Sequence, residues 1–250
     1  MLDLGPTGWA LLAVAAVLVG FAKTAVGGVA AISVAVFAAV LPARESTGVL
    51  LPLLLVGDVV AVRSYRAHAH WGTLLRLLPA VVVGVLVGVV FVDRVDDTVM
   101  RRTIGVILLG LVLVHVVLRR GGNGLPARPG SGIRHHVATG GYGSLAGFTT
   151  MVANSGGAVM SLYLLSAGLS MLGFLGTTAW FFFLVNLFKV PFSIGLGLIS
   201  TSSLVGDAAL VPFVLAGTYV GRRVVGRLDQ KRFESLVLVF TVLSTVPLLR

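Results

Sequence analysis

The chain has 250 residues, 57% of them hydrophobic and 11% charged, with a mean hydropathy of +1.03. A soluble domain carries about one quarter charged residues, so this composition excludes a water-soluble globular fold and indicates a surface that faces lipid. The formal net charge of +10 sits in short loops between apolar runs, which suits orientation in a bilayer and not nucleic-acid binding; the absence of cysteine excludes disulfides, thiol catalysis and thiolate metal sites.

Apolar stretches run over 9–42, 47–62, 77–92, 103–118, 137–168, 175–199, 204–221 and 235–249. A span needs about 20 apolar residues, with about 17 as a lower bound, so several of these need tilt or local thinning of the bilayer. Residues 9–22 read as a first membrane segment and not as a signal peptide, because the preceding residues lack a positive charge, carry Asp3 and lead to no cleavage site. Two stretches, 9–42 and 137–168, are too long for one simple span, and each is interrupted by a glycine pair, Gly27-Gly28 and Gly156-Gly157. They are predicted to be broken helices or re-entrant hairpins, which survive at membrane depth only where protein buries them or a cavity adjoins them.

The longest polar stretch, 119–136, is rich in Gly, Pro and Arg and reads as a linker. It separates a first transmembrane repeat, 1–118, from a second, 137–250. The halves match in sequence: "PAVVVGVLVGVVFVDRVD" from Pro79 aligns with "PFVLAGTYVGRRVVGRLD" from Pro212. Pro79, Gly84, Gly88, Arg94 and Asp96 pair with Pro212, Gly217, Gly221, Arg227 and Asp229 at one constant offset. Gly20-Phe21 and Gly147-Phe148 precede the two glycine pairs, and Asp58 and Asn186 hold similar places in the next segment. The fold class expected is an all-α integral membrane protein with about 8 transmembrane segments, 8–10 counting half-helices, in two homologous repeats.

Loop cations bear on how the repeats are arranged. If each half crosses the membrane an odd number of times, loops 63–76, 119–134 and 222–232 share one side with 12 Lys and Arg, against 5 on the other. A parallel arrangement splits them 9 to 8 and orients nothing. The positive-inside rule therefore prefers inverted repeats.

The placement of lysine is the most informative feature for chemistry. Of 16 Arg and 3 Lys, every Arg lies in a loop or at a segment end, whereas Lys23 and Lys189 lie inside apolar stretches of different halves. Ionisable groups at that depth usually face a cavity or a partner, and an ammonium suits an anion; the alternative is that either stem snorkels to the interface. The glycine breaks place small residues where a new half-helix begins, and a helix N-terminus offers free N–H groups to an anion. Thr24, Thr149, Thr150, Asn154 and Ser155 would add donors. Asp58 is the main buried acid, read as a coupling site, as a counter-ion for Lys23 or as a structural hydrogen bond. Asn186 is expected to face inward, and Asp207 and His115 to lie near the interfaces. His68, His70, His135 and His136 have no carboxylates at metal spacing, and no phosphate-binding loop or hydrolase arrangement is visible, so no enzyme is expected.

"GFAKTAVGGVAAISV", "RLLPAVVVGVLVGVV", "GFTTMVANSGGAVMSLYLLSAGL" and "GTTAWFFFLVNLFKVPFSIGLG" resemble the sulfite exporter TauE/SafE family, over about residues 9 to 249. The resemblance implies a duplicated transmembrane fold in a bacterial cytoplasmic membrane. It also implies proton-driven export of sulfite, sulfonates or related sulfur-containing anions. Matched positions make Lys23, Gly27, Gly28, Asn154, Ser155, Gly156, Gly157, Asn186 and Lys189 the expected pocket; the first half departs from the family pattern in reading "KTAVGG".

The combined expectation is a secondary transporter of a small sulfur-containing anion. Lys23, Thr24, Gly27, Gly28, Asn154, Ser155, Gly156, Gly157, Asn186 and Lys189 would bind substrate, and Asp58 would couple it to protons. No cofactor or metal is expected. The expected partners are the small anion and the lipid bilayer, with a homodimer left open and nucleic acid excluded. The rival readings are a passive anion channel, a carrier of another small solute, and a membrane assembly partner or sensor.

Overall fold

A computed structural model of the chain describes residues 4–25, 29–120 and 133–229, leaving aside the side chains of 108–109, 111–120, 133–138, 158 and 166. The helices it describes are α1 (Pro6–Thr24), α2 (Ala30–Val40), α3 (Ala43–Tyr65), α4 (Trp71–Arg94), α5 (Asp97–Arg120), α6 (Ile133–Ala153), α7 (Gly156–Ser166), α8 (Met171–Gly195) and α9 (Thr201–Val225). A short 3-10 turn, Arg66–His68, extends α3. Among the described residues no strand occurs. α1, α3 with its extension, α4, α8 and α9 are long and apolar enough to cross a membrane. The apolar stretch 235–249 lies outside the described residues.

Local sequence explains where the helices begin. Pro6 opens α1, where a missing N–H costs nothing. Ser170 caps α8 by accepting from the Gly173 N–H, and Ser200 and Ser203 form a reciprocal capping box on α9. Pro52, Pro79, Pro191 and Pro212 lie inside helices, as membrane helices tolerate when neighbours reclaim the freed carbonyls.

Both over-long stretches are broken. The first becomes α1 and α2, and the second becomes α6 and α7. α2 and α7 have 11 residues each, about 16 Å of helix, half the thickness of a hydrocarbon core. In the second break α6 ends at Ala153, and Asn154 turns the backbone with φ 48, in the left-handed region that Asn adopts more readily than most residues. The first break, with Gly27 and Gly28, lies outside the described residues.

The motif glycines are crossing points between helices of different halves. A Cβ on Gly20 of α1 would overlap the Val214 carbonyl of α9, and one on Gly217 of α9 would overlap the Val17 carbonyl of α1. The same reciprocal contact joins α4 and α6: Gly84 faces the Ser144 carbonyl, and Gly147 faces that of Val81. Small residues let the backbones approach this closely. Along both crossings the contacts advance together, Gly217 to Gly221 against Val17 to Thr24 and Gly84 to Gly88 against Ser144 to Met151, so each pair runs parallel. α3 and α8 do the opposite. Gly48 lies against Leu198 just beyond α8, Asp58 against Asn186, and Gly176 against the Tyr65 carbonyl, so these two helices run antiparallel.

Buried apolar side chains from both halves form the core. Leu12, Val19, Phe37 and Leu53 pack with Val152 and Val214, while Leu77, Val81 and Val85 pack with Met160, Phe174 and Phe181. Large apolar side chains such as Val83, Val87, Phe213 and Tyr219 are exposed on the outer faces of α4 and α9, as a lipid-facing belt requires.

Candidate functional site

Four helices bring ionisable and amide side chains together in the apolar interior. Lys23 lies in the last turn of α1, Asp58 in the middle of α3, Asn186 and Lys189 one turn apart on α8, and Asn154 just beyond α6. Gly57 makes room for Lys23, since a Cβ there would meet its Cγ at 2.9 Å. The lysine stem therefore crosses α3 closely and brings its Nζ 2.7 Å from Asp58 Oδ1. The same ammonium lies over the Phe182 ring at 4.5 Å from the centroid.

The network continues from Asp58. Asn186 Nδ2 donates to Asp58 Oδ2 at 2.6 Å, which turns Asn186 Oδ1 toward Lys189 at 3.4 Å. Lys189 Nζ also donates to the Thr150 carbonyl and to Asn154 Oδ1, each at 2.6 Å. Asn154 Nδ2 in turn donates to the Thr47 carbonyl at 3.0 Å. Asp58 and Asn186 are fully buried and Lys189 is 1% exposed, so none of the three reaches water by snorkelling.

The two helix breaks are held by different side chains. Lys189 satisfies a carbonyl in the last turn of α6, where a cation is favoured by the helix dipole. At the end of α1 the Tyr65 hydroxyl donates to the Thr24 carbonyl at 2.8 Å. Neither Thr24 nor Ser155 directs its hydroxyl into open space. Thr24 donates to the carbonyls of Gly20 and Thr218 at 3.1 Å, and Ser155 donates to that of Ala153 at 3.0 Å. Gly156 packs against α6, where a Cβ would crowd the Ala146 carbonyl and Thr150.

A cavity of about 30 Å³ adjoins this network, room for about two water molecules. Lys23, Asp58, Thr150, Asn154, Gly157, Thr178 and Asn186 supply its polar wall, and Ala22, Ala30, Leu54, Ala179 and Phe182 its apolar one. Of the residues expected from sequence, Lys23, Asp58, Asn154, Gly157 and Asn186 border the cavity; Lys189 lies behind Thr150, Asn154 and Asn186; Thr24, Ser155 and Gly156 are turned to packing contacts. Gly27 and Gly28 are outside the described residues. Sequence reasoning missed Thr178 and Phe182, since one threonine and one phenylalanine in an apolar helix give no signal of their own. The Thr178 hydroxyl is buried at the cavity with no hydrogen-bond partner among the described residues. Ser155 does not cap α7 with its side chain.

Asp207, expected near an interface, lies close to the start of α9. It is 3% exposed in the second turn of α9, on the inward face that carries Leu210 and Val214, and neither of its oxygens has a hydrogen-bond partner among the described residues.

The fold and site define an all-helical membrane protein with a buried polar centre between broken helices. The chain belongs to the sulfite exporter TauE/SafE family, whose pattern matches residues 12–248. It is thus a multi-pass protein of a membrane transporter family. Neither a curated protein nor a solved structure gives a match to it.

Proposed function

We propose that this chain is a secondary transporter that exports sulfite, an organosulfonate or a related small sulfur-containing anion across the bacterial cytoplasmic membrane, coupled to protons through Asp58. The observation that carries this reading is the buried chain of contacts from Lys23 through Asp58 and Asn186 to Lys189, set against a cavity at the helix breaks. A buried ion pair is a poor source of stability, because desolvation offsets most of the attraction. Two lysines at this depth need another reason, and membership of a sulfur-anion exporter family supports an anion as that reason.

In this mechanism Lys23 is the ammonium that exchanges partners. Asp58 holds it when the site is empty, and the anion takes it when the site is loaded. Asp58, released from Lys23 in apolar surroundings, is then the group placed to exchange a proton, which links anion and proton movement. The second N–H of the Asn154 amide and the α7 N-terminus offer donors to the anion oxygens. The cavity is too small for a sulfur oxyanion, which fits a closed state that must open to load.

The fold also supports alternating access by two inverted repeats. α3 and α8 hold matched places in the two halves and pack antiparallel. A two-fold axis relating them then lies in the membrane plane, the arrangement that the loop cations favour. Labelling of single cysteines, introduced into this cysteine-free chain, tests it. Loops 94–102 and 222–232 should label from opposite faces, and labelling from one face would sink the inverted arrangement.

The function is tested by flux in proteoliposomes under an imposed proton gradient, with sulfite, thiosulfate, sulfoacetate and sulfate offered in parallel. Saturable, gradient-dependent movement with counterflow is expected for at least one of them. Lys23→Ala and Lys189→Ala should each abolish it in folded protein. Non-saturating flux without counterflow would mean a channel, and no movement of any anion would overturn the reading.

A further inference from the structure

We infer that the site carries one net positive charge and therefore selects singly charged oxyanions over doubly charged ones of the same shape. This rests on the anion-transport reading and adds the charge of the substrate to it.

With Asp58 as a carboxylate and both lysines as ammoniums, the hydrogen-bond connectivity is consistent at every link. Asp58 pairs with the Lys23 ammonium at Oδ1 and accepts from the Asn186 amide on Oδ2, an arrangement that suits a carboxylate. Lys189 faces three acceptors, the Thr150 carbonyl, Asn154 Oδ1 and Asn186 Oδ1. An ammonium has three N–H groups to match them; a neutral amine has two. The orientation of Asn154 follows from the Thr47 carbonyl, which takes its NH₂, and that of Asn186 from an ionised Asp58. Every link is then donor to acceptor, and the network is internally consistent.

Two ammoniums against one carboxylate leave one positive charge in the apolar interior, and among the described residues lining the cavity no other charged group offsets it. As an ammonium, Lys189 supplies the charge that has no carboxylate partner, and its hydrogen bonds hold it behind the wall. Lys23 and Asp58 neutralise one another, and both border the cavity, where Lys23 is the one cation among the described lining residues. The unpartnered Thr178 hydroxyl supplies a further donor on the cavity wall. While Asp58 is ionised, before the proton exchange that its release from Lys23 permits, a monoanion brings the loaded site to neutrality. A dianion leaves a net negative charge in low dielectric, where uncompensated charge is most costly.

Methanesulfonate and sulfate are suitable probes, since both are tetrahedral at sulfur and keep charges of one and two across the working pH range. Binding is read as thermal stabilisation of the purified full chain in detergent, and movement as counterflow in proteoliposomes. In the wild type, methanesulfonate should bind and exchange at least about tenfold better than sulfate. Asp58→Asn leaves the site with two positive charges, and its binding preference should shift toward sulfate by about tenfold or more. Lys189→Gln, which leaves the site neutral, should weaken methanesulfonate binding by about tenfold or more. Equal or better binding of sulfate by the wild type overturns the charge assignment while leaving anion transport intact, as does an unchanged preference in folded Asp58→Asn. Failure of the wild type to bind or move either probe, or sulfite, overturns the transport reading itself.

Discussion

Matched positions of the two halves behave alike at the helix crossings and differently at the centre. Gly20 and Gly147 each meet a backbone carbonyl of a helix from the other half, and Gly84 and Gly217 return the same contact. Counted from those glycines, Lys23 corresponds to Thr150, and counted from Asp58 and Asn186, Lys189 corresponds to Ala61. Asp58 itself faces Asn186 at 2.6 Å. A second aspartate in that place would set two carboxylates in hydrogen-bond contact, which only a shared proton relieves. Packing can be used twice without cost, because a glycine against a carbonyl is satisfied on either side. Charge cannot, because a pair of identical ions repels. The broken ends follow the same rule: Tyr65 closes α1 with a neutral hydroxyl and Lys189 closes α6 with a cation.

The largest effect expected is at the centre. Asp58→Ala leaves the Lys23 ammonium buried without its partner, and the cost should be about 3–5 kcal/mol. Thermal or denaturant unfolding in detergent measures it; a loss below about 1 kcal/mol would mean that Lys23 finds water or another partner at once, and the centre would be less closed than its burial indicates.

Next come the crossings. Gly20→Leu and Gly147→Leu each force two backbones apart, at a cost of at least about 1–3 kcal/mol. The comparison demands that the two be similar in size, and folded yield with melting temperature checks this. A large loss in one and none in the other would break the equivalence of the α1–α9 and α4–α6 contacts.

The smallest effect is at the cavity wall. Thr178→Val keeps the shape and removes a hydroxyl with no hydrogen-bond partner among the described residues. Stability should hold within about 0.5 kcal/mol, while anion affinity falls about 2- to 10-fold if that hydroxyl meets the anion. Unchanged affinity in a binding titration would place the anion elsewhere in the cavity.

Much of this was legible in the sequence because membrane segments are nearly silent backgrounds. Against a run of Val, Leu and Gly, Lys23, Asp58, Asn186 and Lys189 stand out, and the pairing of Lys23 with Asp58 was one of the readings they allowed. The breaks were legible because their segments exceed one span. What the sequence did not carry was the direction of the side chains. Thr24 and Ser155 are the right residue types near the right breaks, yet their hydroxyls return to nearby carbonyls, as Ser and Thr commonly do in helices. Asp207 lies seven residues into α9, near a segment end as its sequence position indicates, and the helix turns its side chain inward. Thr178 and Phe182 acquire their roles from what α1 brings opposite them, which no local pattern encodes.

The central claim is that the buried ion pair serves an anion and not the fold. The most direct test is the double variant Lys23→Met with Asp58→Leu, compared with wild type for melting temperature and for sulfite counterflow in proteoliposomes. An apolar pair of similar volume should hold stability near or above wild type, since it removes the desolvation cost of both ions, and counterflow should vanish. Wild-type counterflow in the double variant would contradict the account and leave Lys23 and Asp58 as structural groups.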